Sequence, residues 1–424
     1  MSWSPLVNPN AAQIGQLLTA NGPRVPVLPG QFTRPALVTP PPNAALDDLL
    51  EQVAVTLQLT ATQFGRAETA YNAVTEWLEA KGSALRDFRP FLSPQGSAAL
   101  RTTNRPVGRS DYDVDVVCLL QRTGWTAMQV YDAILQRLAE HGTYRGMIER
   151  KDRCIRLNYE TEFHLDIIPA EPQPLLGVLH GQSAVRIPDR ARSAWTPSNP
   201  SGYIRWFHEQ AETARVLLEK RASLPLPQRA TPGDQTVLAM VVQLIKRYRD
   251  LQYASPRRAD LAPRSIVLTT LVATHYDGQQ EPSRALYQVV TGIARAVAEA
   301  LPGRVAIANP TNPGERFCDK FTDATYTEFV RFVFALEAEV IALTTMDGAG
   351  LPDLQPRLDV LFGEEPVRTA ILEYGHRVRR ASEEKRLRAS AATGLTVVGS
   401  AKAPGRQIIT HRPYGGTADV RGDQ

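Results

Sequence analysis

The 424-residue chain is short of cysteine, of lysine and of long apolar runs, and each shortage narrows what it can be. Its three cysteines, Cys118, Cys154 and Cys318, lie far apart and form no CxxC pair. That spacing argues against a zinc ribbon and against a disulfide framework. No stretch approaches the roughly 18 uninterrupted apolar residues of a membrane-spanning helix. The N-terminus lacks the charged start and apolar segment of a signal peptide. A soluble, cytoplasmic protein without a membrane partner is therefore expected. The net charge is only +4, too small for a protein that coats nucleic acid by charge alone.

Lysine supplies only 7 of the 48 basic residues, and arginine the other 41. Most of that imbalance reads as GC-rich codon usage, although arginine also forks onto phosphate. Against such a background, a lysine retained inside an arginine-rich segment is a candidate for a specific role. Hydrophobic residues make up 43% and charged residues 22%, enough for a sizeable core.

Four regions are expected. Residues 1–45, rich in Pro, Asn and Gly, read as an extended arm. Residues 46–200 hold two helices (Leu46–Leu59, then Thr60–Ala80 with a Thr60/Gln63 capping box) and a small mixed sheet. Within them, Val114–Leu120, Cys154–Tyr159 and Glu162–Ile168 read as strands, with Pro169 ending the last. Thr126–His141 reads as a helix stopped by Gly142, and 171–200 as a proline-rich loop. Residues 201–390 carry helical periodicity at 203–222, 234–251, 264–276, 283–301, 322–345 and 364–390. Residues 391–424 read as a flexible tail. The fold class is α+β: a sheet-bearing lobe followed by a helical domain.

The chemistry concentrates in Gln95-Gly96-Ser97, Asp113-Val114-Asp115 and Asp166 within Phe163-His-Leu-Asp-Ile-Ile-Pro169. Alternate residues of a strand share a face, so Asp113 and Asp115 stand side by side, which is costly without a cation between them. Asp166 is one more acid in an otherwise apolar strand. If the two strands are neighbours, three carboxylates meet at one edge of the sheet. Hard oxygen ligands with open positions suit Mg²⁺ shared with substrate phosphates, and two such ions could activate a hydroxyl and steady a leaving pyrophosphate. Gly96 lets the backbone approach a phosphate, and Ser97 adds a hydroxyl. Asp111 makes a second, overlapping D-x-D with Asp113. Asp113/Asp115 is preferred because the apolar strand follows at once, leaving Asp111 near solvent. His164 reads as a strand residue flanking the acids, since Mg²⁺ prefers oxygen.

These residues, in this order, resemble the active site of polymerase-β-type nucleotidyltransferases, and more closely the bacterial cGAS/DncV-like nucleotidyltransferases of CBASS antiphage systems. The likeness runs over roughly residues 46–380, through Trp195–Tyr203, Val242–Asp250, Ser265–Leu271, Asn309-Pro310 with Glu315, and Phe362-Gly363-Glu364. It implies a polymerase-β-like lobe joined to a helical lobe with the active-site cleft between them, and a cyclic di- or trinucleotide second messenger made from NTPs. By the same resemblance Asp113, Asp115 and Asp166 would bind two Mg²⁺, with Mn²⁺ as a substitute, and Asp166 would help activate the acceptor hydroxyl. Gln95, Gly96 and Ser97 would hold the donor triphosphate, and Lys246 and Ser265 would contact it from the helical lobe. Arg156 would face the acceptor nucleotide.

Other readings of these positions stand beside the resemblance. Lys246 also fits a solvated basic face with Arg247 and Arg249, Ser265 a helix N-cap, and Arg156 a structural ion pair. Tyr203 is a base-stacking candidate, while Trp206 and Phe207 read as core. The implied partners are NTPs, ATP among them, an effector that binds the cyclic product, and a ubiquitin-transfer-like or other regulatory partner. The enzyme would be a monomer with no obligatory DNA activator. A nucleotidyltransferase acting on RNA or making linear oligonucleotides, and an inactive nucleotide-binding scaffold, are the alternatives.

Overall fold

The computed structural model describes residues 40, 43–108, 111–121, 123–159, 162–173, 183–211, 226–228, 235–346, 349–384, 387–390, 396–398 and 408–410. Most of the expected N-terminal arm, the second half of the 203–222 helix and most of the C-terminal tail, including Arg412–Gly416, lie outside them.

Helix α1 (Ala44–Leu57) starts where Asn43 accepts a hydrogen bond from the Leu46 N–H, and it buries Leu46, Leu49, Leu50, Val53 and Leu57. Helix α2 (Ala61–Glu79) opens with the Thr60/Gln63 capping box. There follow β1 (Phe91–Pro94), the single turn α3 (Gly96–Ala99), β2 (Tyr112–Leu119) and α4 (Ala127–Glu140), the last capped by Thr126 and Gln129. Strands β3 (Ile148–Arg150), β4 (Ile155–Tyr159), β5 (Phe163–Pro172), β6 (Val185–Asp189) and β7 (Ala194–Ser198) complete a seven-stranded mixed sheet. Its main path runs β1-β2-β5-β4-β3, and only the β2–β5 pair is parallel. Helices α2 and α4 cover one face, with Tyr71, Val74, Val130 and Ile134 packed on Val114, Val116 and Ile167.

The rest is helical: α5 (Pro200–Gln210), α6 (Val237–Gln252), α7 (Pro256–Ala259), α8 (Ser265–His275) and α9 (Pro282–Ala300). A hairpin of β8 (Ala308–Asn309) and β9 (Asn312–Arg316) precedes α10 (Asp323–Thr344), α11 (Leu351–Phe362) and α12 (Glu364–Glu383). Helix α6, buried along most of its length, is the centre of this body, as its run Leu238–Ile245 requires. Helix α1 packs with α6 and α12 rather than on the sheet, so the helical core takes in residues 45–57. Among the described residues no helix is long and apolar enough to cross a membrane.

Several sequence expectations are corrected, mostly at prolines. Strand β5 does not stop at Pro169 but continues to Pro172. Pairing with β4 ends at Ile167 and pairing with β6 starts at Glu171, so one flank has no ladder where Pro169 sits. The stretch 171–200 is not all loop, since it holds β6 and β7 with Pro188 and Pro197 inside them. Strand β6 meets β5 only through Val185 and Arg186, and β7 is an edge, where a missing N–H costs little. Helix α11 was not foreseen. Its Pro352 occupies an N-terminal position whose N–H needs no partner, and Pro356 lies inside the helix. Helix α12 ends at Glu383, short of 390. Leu387–Ser390 is instead strand β10, central in a three-stranded sheet with β11 (Thr396–Val398) and β12 (Ile408–Thr410), so the expected tail contributes two strands.

One contact between α1 and α9 makes a stability prediction. The Asp47 carboxylate accepts a hydrogen bond of 2.8 Å from the Ser283 N–H. Burial, only partly offset by that bond, pushes the Asp47 carboxyl up to about 6. A carboxyl whose pKa is raised on folding contributes stability below its ordinary value of 3.8 and loses it as pH rises through about 6. Asp47→Asn keeps the acceptor oxygen and removes the charge. Its Tm advantage over the wild type should grow from about pH 4 to about pH 6.5, toward a limit of about 3 kcal/mol. A pH-independent difference in thermal melts would refute this.

Candidate active site

The site begins where β1 leaves the sheet. The Gln95 N–H donates to the Asp115 carbonyl at 2.8 Å, which holds the turn against β2. Gly96 then adopts φ +56°, and a Cβ built on it would overlap Asp115 Oδ2. Glycine is required here both by the left-handed backbone and by the closeness of the carboxylate. The Ser97 hydroxyl accepts from Thr103 Oγ1 at 3.1 Å.

Strand register gathers the acids. Asp115 lies opposite Asp166 across the parallel β2–β5 pair, and Asp113 lies opposite His164. Asp166 in turn pairs with Arg156 across the antiparallel β5–β4 pair. Asp113, Asp115, Asp166 and Arg156 thus share one face of the sheet. Asp166 is buried, whereas the Asp113 side chain is 55% exposed. Desolvation, with Asp166 and Asp113 adding like charge, pushes the Asp115 carboxyl up to about 6, against the pull of Lys246 and Arg156. Desolvation raises Asp113 as well, opposed by Arg156. Asp111 pairs with His164 Nε2 at 3.4 Å rather than facing open solvent.

The helical body supplies the opposite wall. Lys246 is buried and its Nζ donates to the Thr102 carbonyl at 2.8 Å. Desolvation, then the neighbouring Arg249, lowers its ammonium to about 8. Arg249 Nη1 donates to the Ser265 hydroxyl at 2.7 Å. Ser265 is the first residue of α8 and Arg264 holds the N-cap position, so the hydroxyl is free of capping.

Two cavities lie between the walls. The larger, about 510 Å³, is lined by Gly96, Ser97, Asp113 and Asp115 from the sheet side and by Lys246, Arg249 and Ser265 from the helices. The second, about 300 Å³, reaches Gln95, Asn199, Tyr203, Arg264, Glu315 and Lys320. Both are bounded by Gly96, Leu100, Asp115 and Ile266, so the two cavities meet at the acid edge of β2.

Comparison with known proteins gives this arrangement a family. Residues 44–211 match the model of the Second Messenger Oligonucleotide or Dinucleotide Synthetase domain. The c-di-GMP synthase of Roseivirga ehrenbergii is 30% identical over 336 residues, spanning 78% of this chain and 87% of the relative. The chain belongs to the cGAS/DncV-like nucleotidyltransferases. The cyclic dinucleotide synthase CdnG of Bradyrhizobium diazoefficiens is 26% identical over 385 residues, covering 83% of the nucleotidyltransferase described here and 88% of the relative. The fold is that of the CdnG structure in complex with GTP, with a TM-score of 0.60 at 23% identity over 78% of this chain and 99% of that one. The CdnC:HORMA-deltaN complex of E. coli MS115-1 contains the same fold, with a TM-score of 0.53 at 12% identity over 74% and 96%.

The nucleotidyltransferase brings most of the sequence-derived positions together. Gly96, Ser97, Asp113, Asp115, Lys246 and Ser265 line the larger cavity, and Gln95 lines the smaller. Asp166 and Arg156 line neither, and Arg156 is tied to two acids instead of facing a cavity. Tyr203 borders the smaller cavity, but its hydroxyl is within 2.9 Å of Thr270 Oγ1 and its ring is buried, so it offers no free face for stacking. Trp206 and Phe207 pack into the helical core as expected. Sequence reasoning missed Arg249 and Asp250 as cavity residues, although they stand one turn beyond Lys246 on the same helix. It also missed Lys320, which the scarcity of lysine could have singled out.

Proposed function

We propose that this nucleotidyltransferase condenses two NTPs into a cyclic dinucleotide, with GTP as a principal substrate, and that it does so in antiphage signalling. The observation that carries the reading is the pair of cavities meeting at Gly96 and Asp115, because a dinucleotide synthase must hold two nucleotides at one set of acids. The names of the relatives support the product class, and the c-di-GMP synthase supports guanine.

In each step a ribose hydroxyl of one nucleotide attacks the α-phosphorus of the other. An O–P bond forms, the bond to the β-phosphate breaks, pyrophosphate leaves and the hydroxyl proton is released. The linear intermediate then turns, and a second such step closes the ring. Asp113, Asp115 and Asp166 would hold two Mg²⁺, or Mn²⁺ in their place. Among the described residues no three such side chains converge tightly enough to cage a metal by themselves. Mg²⁺ keeps waters and takes substrate phosphate oxygens as part of its shell, so those oxygens would complete its coordination there. When bound, the ions would lower the pKa of the attacking hydroxyl and offset charge on the leaving pyrophosphate. Ser97, Lys246, Arg249 and Ser265 hold the donor triphosphate in the larger cavity. Lys246, desolvated and donating to the Thr102 carbonyl, is primed to gain from a phosphate. Asp166, level with Asp115 across the β2–β5 pair, would help activate the attacking hydroxyl. Downstream, an effector reads the cyclic product, and a regulatory partner acts on the synthase.

The test is incubation of the purified enzyme with Mg²⁺ and GTP, ATP, or all four NTPs, without DNA, followed by mass spectrometry and phosphatase treatment. A phosphatase-resistant dinucleotide with two pyrophosphates released per molecule is expected. A product that keeps its 5′-triphosphate would identify a linear synthase. No pyrophosphate under any condition would leave only the scaffold reading.

A further inference from the structure

One strong interaction in the site is not explained by nucleotide binding. Arg156 of β4 donates from Nε to Asp166 Oδ1 at 2.7 Å and from Nη2 to Asp166 Oδ2 at 2.8 Å. The same Nη2 donates to Asp113 Oδ1 at 3.0 Å. This is a two-pronged guanidinium–carboxylate fork with a third bond to a second acid, and the side chain is only 19% exposed. Arg156, Asp166 and Asp115 also lie abreast on three adjacent strands, so the backbone register itself aims the guanidinium at the acids. A planar fork suits this task, and a point charge such as lysine does not reproduce it.

We propose that Arg156 is the resident counter-cation of the acid cluster: it holds Asp113 and Asp166 in the nucleotide-free enzyme and must yield those oxygens before metal can bind. The inference rests on the reading of these acids as the metal-binding set. Without a cation, three carboxylates on one face of a sheet repel one another and pay for desolvation. The guanidinium supplies positive charge at that place and occupies three of the oxygens a divalent ion would use. Metal entry therefore competes with intact charge-assisted hydrogen bonds, and the nucleotide-free enzyme binds metal weakly. A nucleotide that brings its own phosphate oxygens tips that competition, which couples metal loading to substrate arrival.

The experiment measures Mn²⁺ binding by electron paramagnetic resonance on full-length wild type, Arg156→Gln and Arg156→Lys, all without nucleotide. Thermal melts with and without Mn²⁺ accompany it. Arg156→Gln should bind Mn²⁺ about ten-fold or more tightly than wild type, the scale of one charge-assisted hydrogen bond. Its metal-free Tm should fall below that of wild type, and saturating Mn²⁺ should close the gap. Arg156→Lys keeps the charge and loses the fork, so it should lie between the two in Mn²⁺ affinity. Equal Mn²⁺ affinity in all three proteins, or weaker binding in the variants, would overturn the proposal. So would Arg156→Lys matching wild type, since charge alone would then account for the effect. Neither readout requires synthase activity. Loss of product formation would strike the functional reading and leave this result intact.

Discussion

Asp115→Asn should abolish cyclic dinucleotide formation and, in metal-free buffer near neutral pH, make the protein more stable. The two effects have one cause. Asp115 sits at the junction of the two cavities, opposite Asp166 in register and two residues from Asp113. Its carboxyl is pushed up to about 6 by desolvation and by those two acids. The ionised form needed to bind metal is therefore the form the fold disfavours. A raised folded-state pKa contributes stability below the ordinary value of 3.8 and loses it as pH climbs through about 6. Wild type without metal should thus lose stability between about pH 4 and about pH 6.5, and the neutral, isosteric asparagine should not. The gain is limited to about 3 kcal/mol, and less to the extent that the Lys246 and Arg156 attractions are also lost. Activity should drop by at least about 10³-fold, or about 4 kcal/mol of transition-state stabilisation. Mg²⁺ at high concentration should raise the Tm of wild type more than that of the variant. Thermal melts across pH with and without Mg²⁺, beside a pyrophosphate-release assay, check all three. A variant that is less stable at pH 7.5 in the absence of metal would contradict the strain argument. One that still makes product would remove Asp115 from the metal site.

The acids themselves were legible because a carboxylate inside a Val-Val-Leu or Leu-Ile-Ile run has few reasons to be there. Their juxtaposition was not. Nothing local states that β2 and β5 run parallel with Asp115 level with Asp166, since that pairing spans some fifty residues of chain. The ambiguity at Arg156 has the same origin. Its place on the strand before Asp166 was readable, but whether it meets acid or ligand depends on the β4–β5 register. Composition marked Lys246 and the resemblance gave it a role, and its burial against Thr102 adds the physical reason that a cation there gains from phosphate. The second cavity could not be read in advance, because its wall joins Gln95, Asn199, Arg264 and Lys320 from four separate parts of the chain. Prolines misled the local reading where flanks were unpaired or helix positions needed no donor, as at Pro169, Pro188 and Pro352. The helical body was legible through its period, and the membership of α1 in that body was not. Its apolar stripe fits any core, and only packing with α6 and α12 chooses between them.

Gly96→Ala should cost activity out of proportion to stability, and a second glycine provides the comparison. Gly96 and Gly82 both hold positive φ, +56° and +89°. Alanine at either position meets the left-handed penalty of about 1–2 kcal/mol. Around Gly82 nothing lies within 4 Å of an added Cβ, so that penalty is the whole effect. At Gly96 the added methyl overlaps Asp115 Oδ2 and crowds Asp115 Cγ, so the carboxylate must turn away or the β1–α3 turn must back off. Either response moves a metal ligand or the backbone beside Ser97, and misplacement by about 1 Å can cost on the order of 10²-fold in rate. Gly82→Ala should therefore melt a few degrees below wild type and Gly96→Ala somewhat lower, while Gly82→Ala keeps its rate of pyrophosphate release and Gly96→Ala loses about 10²-fold or more. Because Asp115 is displaced rather than deleted, the Gly96→Ala enzyme should also require more Mn²⁺ for half-maximal activity. Equal activity of the two variants would show that the close approach of Gly96 to Asp115 has no part in positioning the acid.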